Sequence, residues 1–515
     1  MAEEKKSRLY ILQPIIERWP AVSKPEVHVN FRSKIFWTVL CLMLYYILTN
    51  VMIYGVTTRV LDMFASYRAI MAGASGSIMH LGIGPIVTAS IILQLFVGAK
   101  IIKLDLTKKE DKAIYQGSQK VLVIAMILIE AIPQVYGYLS PTEGLTAMVG
   151  SKGMADVIII LQLFIGAYLV FLMDELISKW GIGSGISLFI AAGVSQSIFT
   201  GLFNWLPSAS SQPLSISNPP SGTIAGTYYL SSQMSMADIV DGGYQYLFIG
   251  HSGFQNAILP LLGTIAIFLI VTFTESSRIE LPLAHAKVRG ARGRYPIRLI
   301  YASNIPVILM SALLANINMF ALLFYTNPGL QGLPGIGHQW WLGLYDTSAG
   351  STSPIAGGAW YVSNLNGVNS WLMPIISGGY SGHASWQYAV KVLIYLSLMI
   401  FGSVLFAKFW IETTNMGPND VAKQIQESGM VMPGFRRDPR VLGRVLERYI
   451  PVVTVIGGAS VGALAAAADM IGTLGNASGT GVLLTVGIMI QLYEQIAKEQ
   501  AMEMHPILRG FFGAE

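Results

Sequence analysis

The chain has 515 residues, of which 53% are hydrophobic and 12% charged, and its mean hydropathy is +0.55. Soluble proteins carry about 25% charged residues; a chain this poor in charge cannot cover its own surface in water, so a string of soluble domains is excluded and the bilayer is its solvent. Net charge is only +5, and the single cysteine, Cys41, excludes an internal disulfide framework and a cysteine metal cluster.

The amino-terminal stretch MAEEKKSRLYILQPIIERWP lacks the apolar core of a cleaved signal peptide. Beyond it, windows of about 20 mainly apolar residues mark membrane helices. Ten are predicted, near 35–55, 78–99, 119–139, 154–174, 184–204, 256–275, 298–325, 387–411, 449–472 and 480–498. Between the first two lies VTTRVLDMFASYRAIMAGASGS, too polar to span and too apolar for a free loop. A re-entrant segment fits, because non-helical backbone is tolerated at membrane depth only where it is shielded from lipid.

The second span opens with LGIGPIV at 81–87 and the seventh contains NIPVI at 304–308. Each sets a proline among β-branched aliphatics, and each is the second helix of a half of five, as an inverted repeat would place it. Connections 201–256 and 326–386 contain no Lys or Arg. The first is rich in Ser, Gly and Pro, and the second holds five of the ten Trp. Both read as structural caps at the membrane boundary.

Basic residues are distributed unequally. With a cytoplasmic amino terminus, 29 of the 33 Lys and Arg fall on inner segments, leaving Arg59, Arg68, Lys152 and Lys391 outside. That asymmetry predicts both termini in the cytoplasm. Segment 278–298 carries six basic residues and one acidic residue, and 433–448 carries five Arg. Patches of this density attract polyanions such as lipid headgroups, an acidic partner or RNA.

Within the spans stand Gln94, Glu130, Gln162, Asn304, Asn316 and Asn318. With one carboxylate well inside, no acid–His relay and no helical Arg series, a proton pump or voltage sensor is disfavoured. Asp469, near a helix end, is expected to reach water. There is no Walker loop, no H-E-x-x-H and no paired His or Cys at metal spacing. Gly181-x-Gly183-x-Gly185 lacks the strand–helix setting of a nucleotide loop. Neither an enzyme nor a cofactor or metal site is expected. No energy-coupling or catalytic machinery is visible, and a secondary transporter holding a midplane solute site is one reading left open.

Several longer motifs carry a resemblance. LGIGPIVTASIILQL, YQGSQK, DELISKWGIGSGISLFIAAGVSQSIF, LPLAHAKVRG, YPIRLIYASNIPVIL, WIETT, PGFR and GTGVLLTV, between about residue 10 and 508, resemble the SecY family of protein-conducting channels, archaeal members and the endoplasmic-reticulum homologue more than bacterial ones. The resemblance implies an all-α membrane protein of ten helices in two pseudo-symmetric inverted halves. These would be 1–204 and 256–498, joined by an outer loop 205–255. A further outer loop would be 326–386, with cytoplasmic loops 276–298 and 412–448 and a tail 499–515.

It also implies site residues. A pore ring would comprise Ile83, Val87, Ile186, Ile190, Ile308 and Leu484. A plug near 57–72 would include Thr58, Val60, Leu61, Met63 and Phe64. A lateral gate between helices 2–3 and 7–8 would have Thr88, Glu130 and Asn316 as its polar cluster. Arg289, Arg292, Arg294, Arg436 and Arg437 would dock the ribosome. The implied partners are a SecE-type subunit, a small single-span beta subunit, the ribosome, signal-sequence-bearing polypeptides and membrane lipids, with no DNA. The implied location is the archaeal plasma membrane.

Overall fold

A computed structural model describes residues 8–504 except 19, 21, 28, 57–70, 100, 103, 105–107, 138, 208–212, 239, 241–242, 251–255, 286–291, 299–303, 327–338, 346–353, 381, 415, 428–429, 432–438 and 476. Ten principal helices organise the chain: α1 (Phe31–Asn50), α2 (Gly84–Gly98), α3 (Lys109–Gly137), α4 (Lys152–Trp180), α5 (Gly185–Phe203), α6 (Ile258–Ser276), α7 (Ile305–Thr326), α8 (Ser385–Thr413), α9 (Pro439–Ile471) and α10 (Gly479–Met504). Among the described residues, nine are long and apolar enough to cross a membrane, and α2 is the shorter apolar helix.

The exception has a local cause. The second span was expected from residue 78, yet α2 starts at Gly84. Gly82 adopts φ +55°, and a Cβ there would lie 2.1 Å from the Met71 carbonyl oxygen. The chain turns tightly against residues 71–73, and the Ile83 N–H donates to Met71 O at 2.7 Å. Pro85 then sits in the first turn, where its missing N–H and fixed φ suit a helix start. Fifteen residues make a helix of about 22 Å, short of the ~30 Å hydrocarbon core. α2 alone therefore falls short of spanning that core.

Other helices outrun their apolar windows. α3 begins at Lys109 rather than 119, α9 begins at Pro439 rather than 449, and α10 continues to Met504. Hydropathy marks only the part that lipid surrounds, while helical pairing continues into charged turns. Those turns are tied together. Lys34 pairs with Glu499 and Arg278 with Glu494, each at 2.8 Å, and Glu175 binds both Lys120 and Lys179. The Val22 N–H adds a 3.0 Å bond to Glu175. Nearby, Tyr10 donates to Asp111 at 2.5 Å, a bond that pushes the phenol up to about 12. This is the basic end of the bundle.

Burial is graded across the bundle. The apolar window of α7 is 78% buried and that of α1 only 17%, so α7 is central and α1 peripheral. α6 leaves Phe268, Leu269 and Phe273 exposed, which suits a helix that faces lipid tails.

The segment expected as a basic loop, 278–298, forms a hairpin instead. β1 (Arg278–His285) pairs antiparallel with β2 (Arg292–Arg298), and β3 (Met430–Val431) adds to β1 at Ala284 and His285, giving the order β2-β1-β3. Ile279, Leu281 and Leu283 have strand periodicity, but Pro282 and Pro296 conceal it. Among the described residues Pro282 has a paired strand on one side only, where a residue without an N–H is tolerated.

Candidate conducting path

The six aliphatics of the expected ring come from four helices that converge in the bundle. Ile83, Val87, Ile190, Ile308 and Leu484 all lie in one buried apolar cluster, with Ile186 packed against it. Ile83, Ile190 and Leu484 are 0% exposed, Val87 4% and Ile308 6%. A cavity of about 410 Å³ reaches this layer; Val87, Ile186 and Ile308 line it, together with polar groups that include Gln94, Gln119 and Thr413. The cavity thus reaches Val87, Ile186 and Ile308, while Ile83, Ile190 and Leu484 are sealed in the core.

Beside the layer is a polar contact joining three helices. Thr88 of α2 has its hydroxyl oxygen 2.9 Å from Glu130 Oε1 of α3 and 2.9 Å from Gly84 O, and accepts a 2.9 Å bond from Asn316 Nδ2 of α7. All three residues are buried. The hydroxyl has one proton to give, so Glu130 and Gly84 O compete for it while Asn316 occupies a lone pair. A direct bond between α3 and α7, from Gln134 to Met319 Sδ at 3.4 Å, follows the same seam.

The remaining intramembrane polar groups serve locally. Gln162 exchanges two bonds with the Tyr54 backbone, at 2.9 and 3.1 Å, and so pins the chain leaving α1. Asn304, just before α7, donates to Glu275 Oε1 at 2.9 Å. Asp469 does not reach water as expected. It is 2% exposed, accepting from Thr480 N at 2.9 Å, Thr480 Oγ1 at 2.6 Å and Tyr395 OH at 2.7 Å. Its apparent place at a helix edge was misleading because the α9–α10 turn folds over it.

Thr58, Val60, Leu61, Met63 and Phe64 lie outside the described residues, as do Arg289, Arg436 and Arg437. The flanks of 57–70 are described, and they meet. Ile53 N–H bonds Gly76 O and Ile78 N–H bonds Val51 O, both at 2.9 Å. The segment therefore leaves and returns at one place. Arg292 and Arg294 stand two residues apart on β2, opposite Ala284 and Pro282. Among the described residues no cluster of three or more His, Cys, Asp or Glu could hold a metal.

A helical bundle whose apolar helices are long enough to cross a membrane, with a buried aliphatic cluster at its centre and a partly polar cavity beside it, defines a polytopic membrane protein. Residues 77–493 match the SecY family, and 43–76 match the plug domain of Sec61p. A protein translocase subunit SecY from Archaeoglobus fulgidus is 45% identical over 511 residues, 98% of each chain. The solved structure of a protein-conducting channel superposes with a TM-score of 0.76 at 35% identity, covering 96% of this chain and 98% of that one. Sec61 from the canine ribosome–channel complex of the endoplasmic reticulum gives 0.73 at 34%, with the same coverage. The chain belongs to the SecY family of protein translocase subunits. The solute-transporter alternative finds no support among these relatives.

Proposed function

We propose that this chain is the central pore-forming subunit of a protein translocase. It passively conducts unfolded secretory polypeptides across an archaeal plasma membrane and releases apolar segments sideways into lipid. What supports the reading is the buried aliphatic cluster to which Ile83, α2, α5, α7 and α10 contribute, which would form the constriction, with hydrogen bonds joining α2, α3 and α7 beside it.

The chemistry of the two parts fits the task. A layer of Ile, Val and Leu is a poor place for water and ions and closes by dewetting. It offers a passing chain no polar group at which to stick. The seam is weakly held. Interhelical hydrogen bonds in membranes contribute about 0.6–1.7 kcal/mol. An apolar segment gains about 0.3–0.6 kcal/mol for each Leu or Ile at the bilayer centre. A handful of such residues therefore outweighs the Asn316–Thr88 bond, and a polar segment does not. The plug near 57–72 would cover the constriction on the side away from the basic end.

Motion must be driven by a partner, because the sequence contains no nucleotide motif. The basic segments would face the cytoplasm with both termini, supported by the 29-to-4 bias of Lys and Arg. Arg289, Arg292, Arg294, Arg436 and Arg437 would contact ribosomal RNA there, and a SecE-type subunit and a small single-span beta subunit would complete the complex. The two halves would be 1–204 and 256–498. The reading is tested by replacing Ile83 and Ile190 with Gly: resting ion leak should rise in reconstituted membranes, and an unchanged leak would refute the constriction.

A further inference from the structure

The helices that form the constriction all begin beside it. Ile83 directly precedes α2, Ile186 and Ile190 are the second and sixth residues of α5, Ile308 is the fourth of α7, and Leu484 is the sixth of α10. At about 1.5 Å per residue, Ile190 and Leu484 each lie about 7.5 Å from the start of their helix. α5 starts near the basic end, where Lys179 pairs with Glu175, and α10 finishes there, where Glu499 pairs with Lys34. The two helices pack on each other in opposite directions. Their starts therefore stand about 15 Å apart across the constriction, within a hydrocarbon core about 30 Å thick. A helix start leaves its first N–H groups unpaired, and at such depth the protein must supply the acceptors.

In both cases a carboxylate from the preceding helix supplies one. Asp174 Oδ1, on α4, accepts the Ile186 N–H at 2.8 Å. Asp469 Oδ1, on α9, accepts the Thr480 N–H at 2.9 Å. Each acceptor serves the second residue of its helix, and the ring residue follows four positions later. The geometry is repeated behind the cap. A Cβ at Gly185 would lie 2.5 Å from Asp174 Cα, and one at Gly479 would lie 2.1 Å from the Ala468 carbonyl carbon. Both helix starts are thus pressed onto the backbone of the helix before. Ser184 O accepts Leu188 N and Ser478 O accepts Val482 N, each at 3.1 Å. The sequence carries the same pattern: GIGSGISLFI at 181–190 aligns without a gap with GNASGTGVLL at 475–484, with Gly, Ser, Gly and three terminal apolar residues in register.

We propose that Asp174 and Asp469 are equivalent positioning residues of the two inverted halves, each clamping the start of a helix so that Ile190 or Leu484 sits at the constriction. A carboxylate suits the post because the positive end of the helix dipole favours it. The clamp matters because a seal of aliphatic contacts is unforgiving. A gap of 0.5–1 Å forfeits roughly a quarter to a half of each contact, so a small slip of either helix start opens the layer. Tyr395 of α8 bonds Asp469 as well, at 2.7 Å, tying that corner to a third helix.

The inference rests on the channel reading, and the test separates the two. The full complex is reconstituted in planar bilayers, and resting conductance and thermal stability are measured together. Asp174→Ala and Asp469→Ala should each raise resting conductance about tenfold, as expected when a capping bond is lost from the closed state. Asp174→Asn keeps an acceptor for the Ile186 N–H and should stay near the parent. Thr142→Ala removes the cap of the short helix Glu143–Val149, in which Thr142 accepts Leu145 N at 3.4 Å. It should lower stability without leak. If the alanine variants fail to assemble, Asp174→Glu, which shifts the acceptor by one methylene, should leak. Parental conductance in Asp174→Ala and Asp469→Ala (or in Asp174→Glu where the alanine variants do not assemble), or equal leak from Thr142→Ala, overturns the inference. Ile190→Gly shows which idea has failed: if it leaks while the cap variants stay tight, only the positioning role falls, and if it is also tight, the channel reading falls too.

Discussion

The proposed constriction and the proposed gate are neighbours built from opposite chemistry. Ile83 and Val87 belong to the first, and Thr88, the next residue, belongs to the second. The constriction is held by non-directional aliphatic contact; the seam is held by directional bonds among Thr88, Glu130 and Asn316. A seal that must yield to any polypeptide cannot use groups that bind some sequences and reject others. A gate that must discriminate apolar from polar segments needs bonds whose loss only an apolar segment can offset. One turn of α2 carries both, and α7 meets both, with Ile308 at the first and Asn316 at the second.

Substitutions should separate the two. The largest effect is expected for Ile83→Gly with Ile190→Gly, with resting conductance rising at least about tenfold through loss of the dewetted layer and little change in which segments enter the membrane. Removing residues 58–70 should raise leak to a smaller extent and leave assembly intact; a deleted channel as tight as the parent would show that the segment is no plug. Thr88→Val takes a bond from both Glu130 and Asn316. Leaving buried groups unsatisfied costs about 1–3 kcal/mol, so the closed seam should weaken and marginally apolar segments should insert more efficiently. Resting conductance should move less than in the glycine pair, and the reverse order of effects would merge the two regions into one. Arg289→Glu with Arg436→Glu should weaken ribosome binding, most visibly at low salt where surface charges are least screened; unchanged binding at physiological salt would remove those residues from the docking surface. The smallest effect is expected from Lys34→Met, whose pairing with Glu499 is partly exposed and worth under about 1 kcal/mol to thermal stability.

Much of this arrangement was legible in the sequence, for uneven reasons. Nine of the ten spans are long apolar runs that hydropathy locates, because lipid imposes a length and a composition. The start of α2 was missed by six residues because Gly82 and the returning chain at Met71 decide it, and hydropathy does not see turns. The hairpin 278–298 was hidden by its two prolines and by basic charge that read as loop. Pairs such as Ile186 and Ile190 look like ordinary helix packing, so only the resemblance singled them out. Asp174 draws no notice in the sequence and Asp469 reads as reaching water, because acids near span ends look interfacial. What marks them is the Ser-Gly start of the next helix, 10 and 9 residues later, and that pattern acquires meaning once two inverted corners are compared.

The central claim is that a polypeptide passes through the aliphatic layer, and a cross-link tests it most directly. Cys41→Ser clears the background, and Leu484→Cys at the constriction or Phe268→Cys on the exposed face of α6 then offers one thiol to a cysteine in a stalled secretory chain. Disulfide formation at residue 484 and none at residue 268 is the expected result. A chain that links at 268 and not at 484 would place the path outside the bundle and contradict the account.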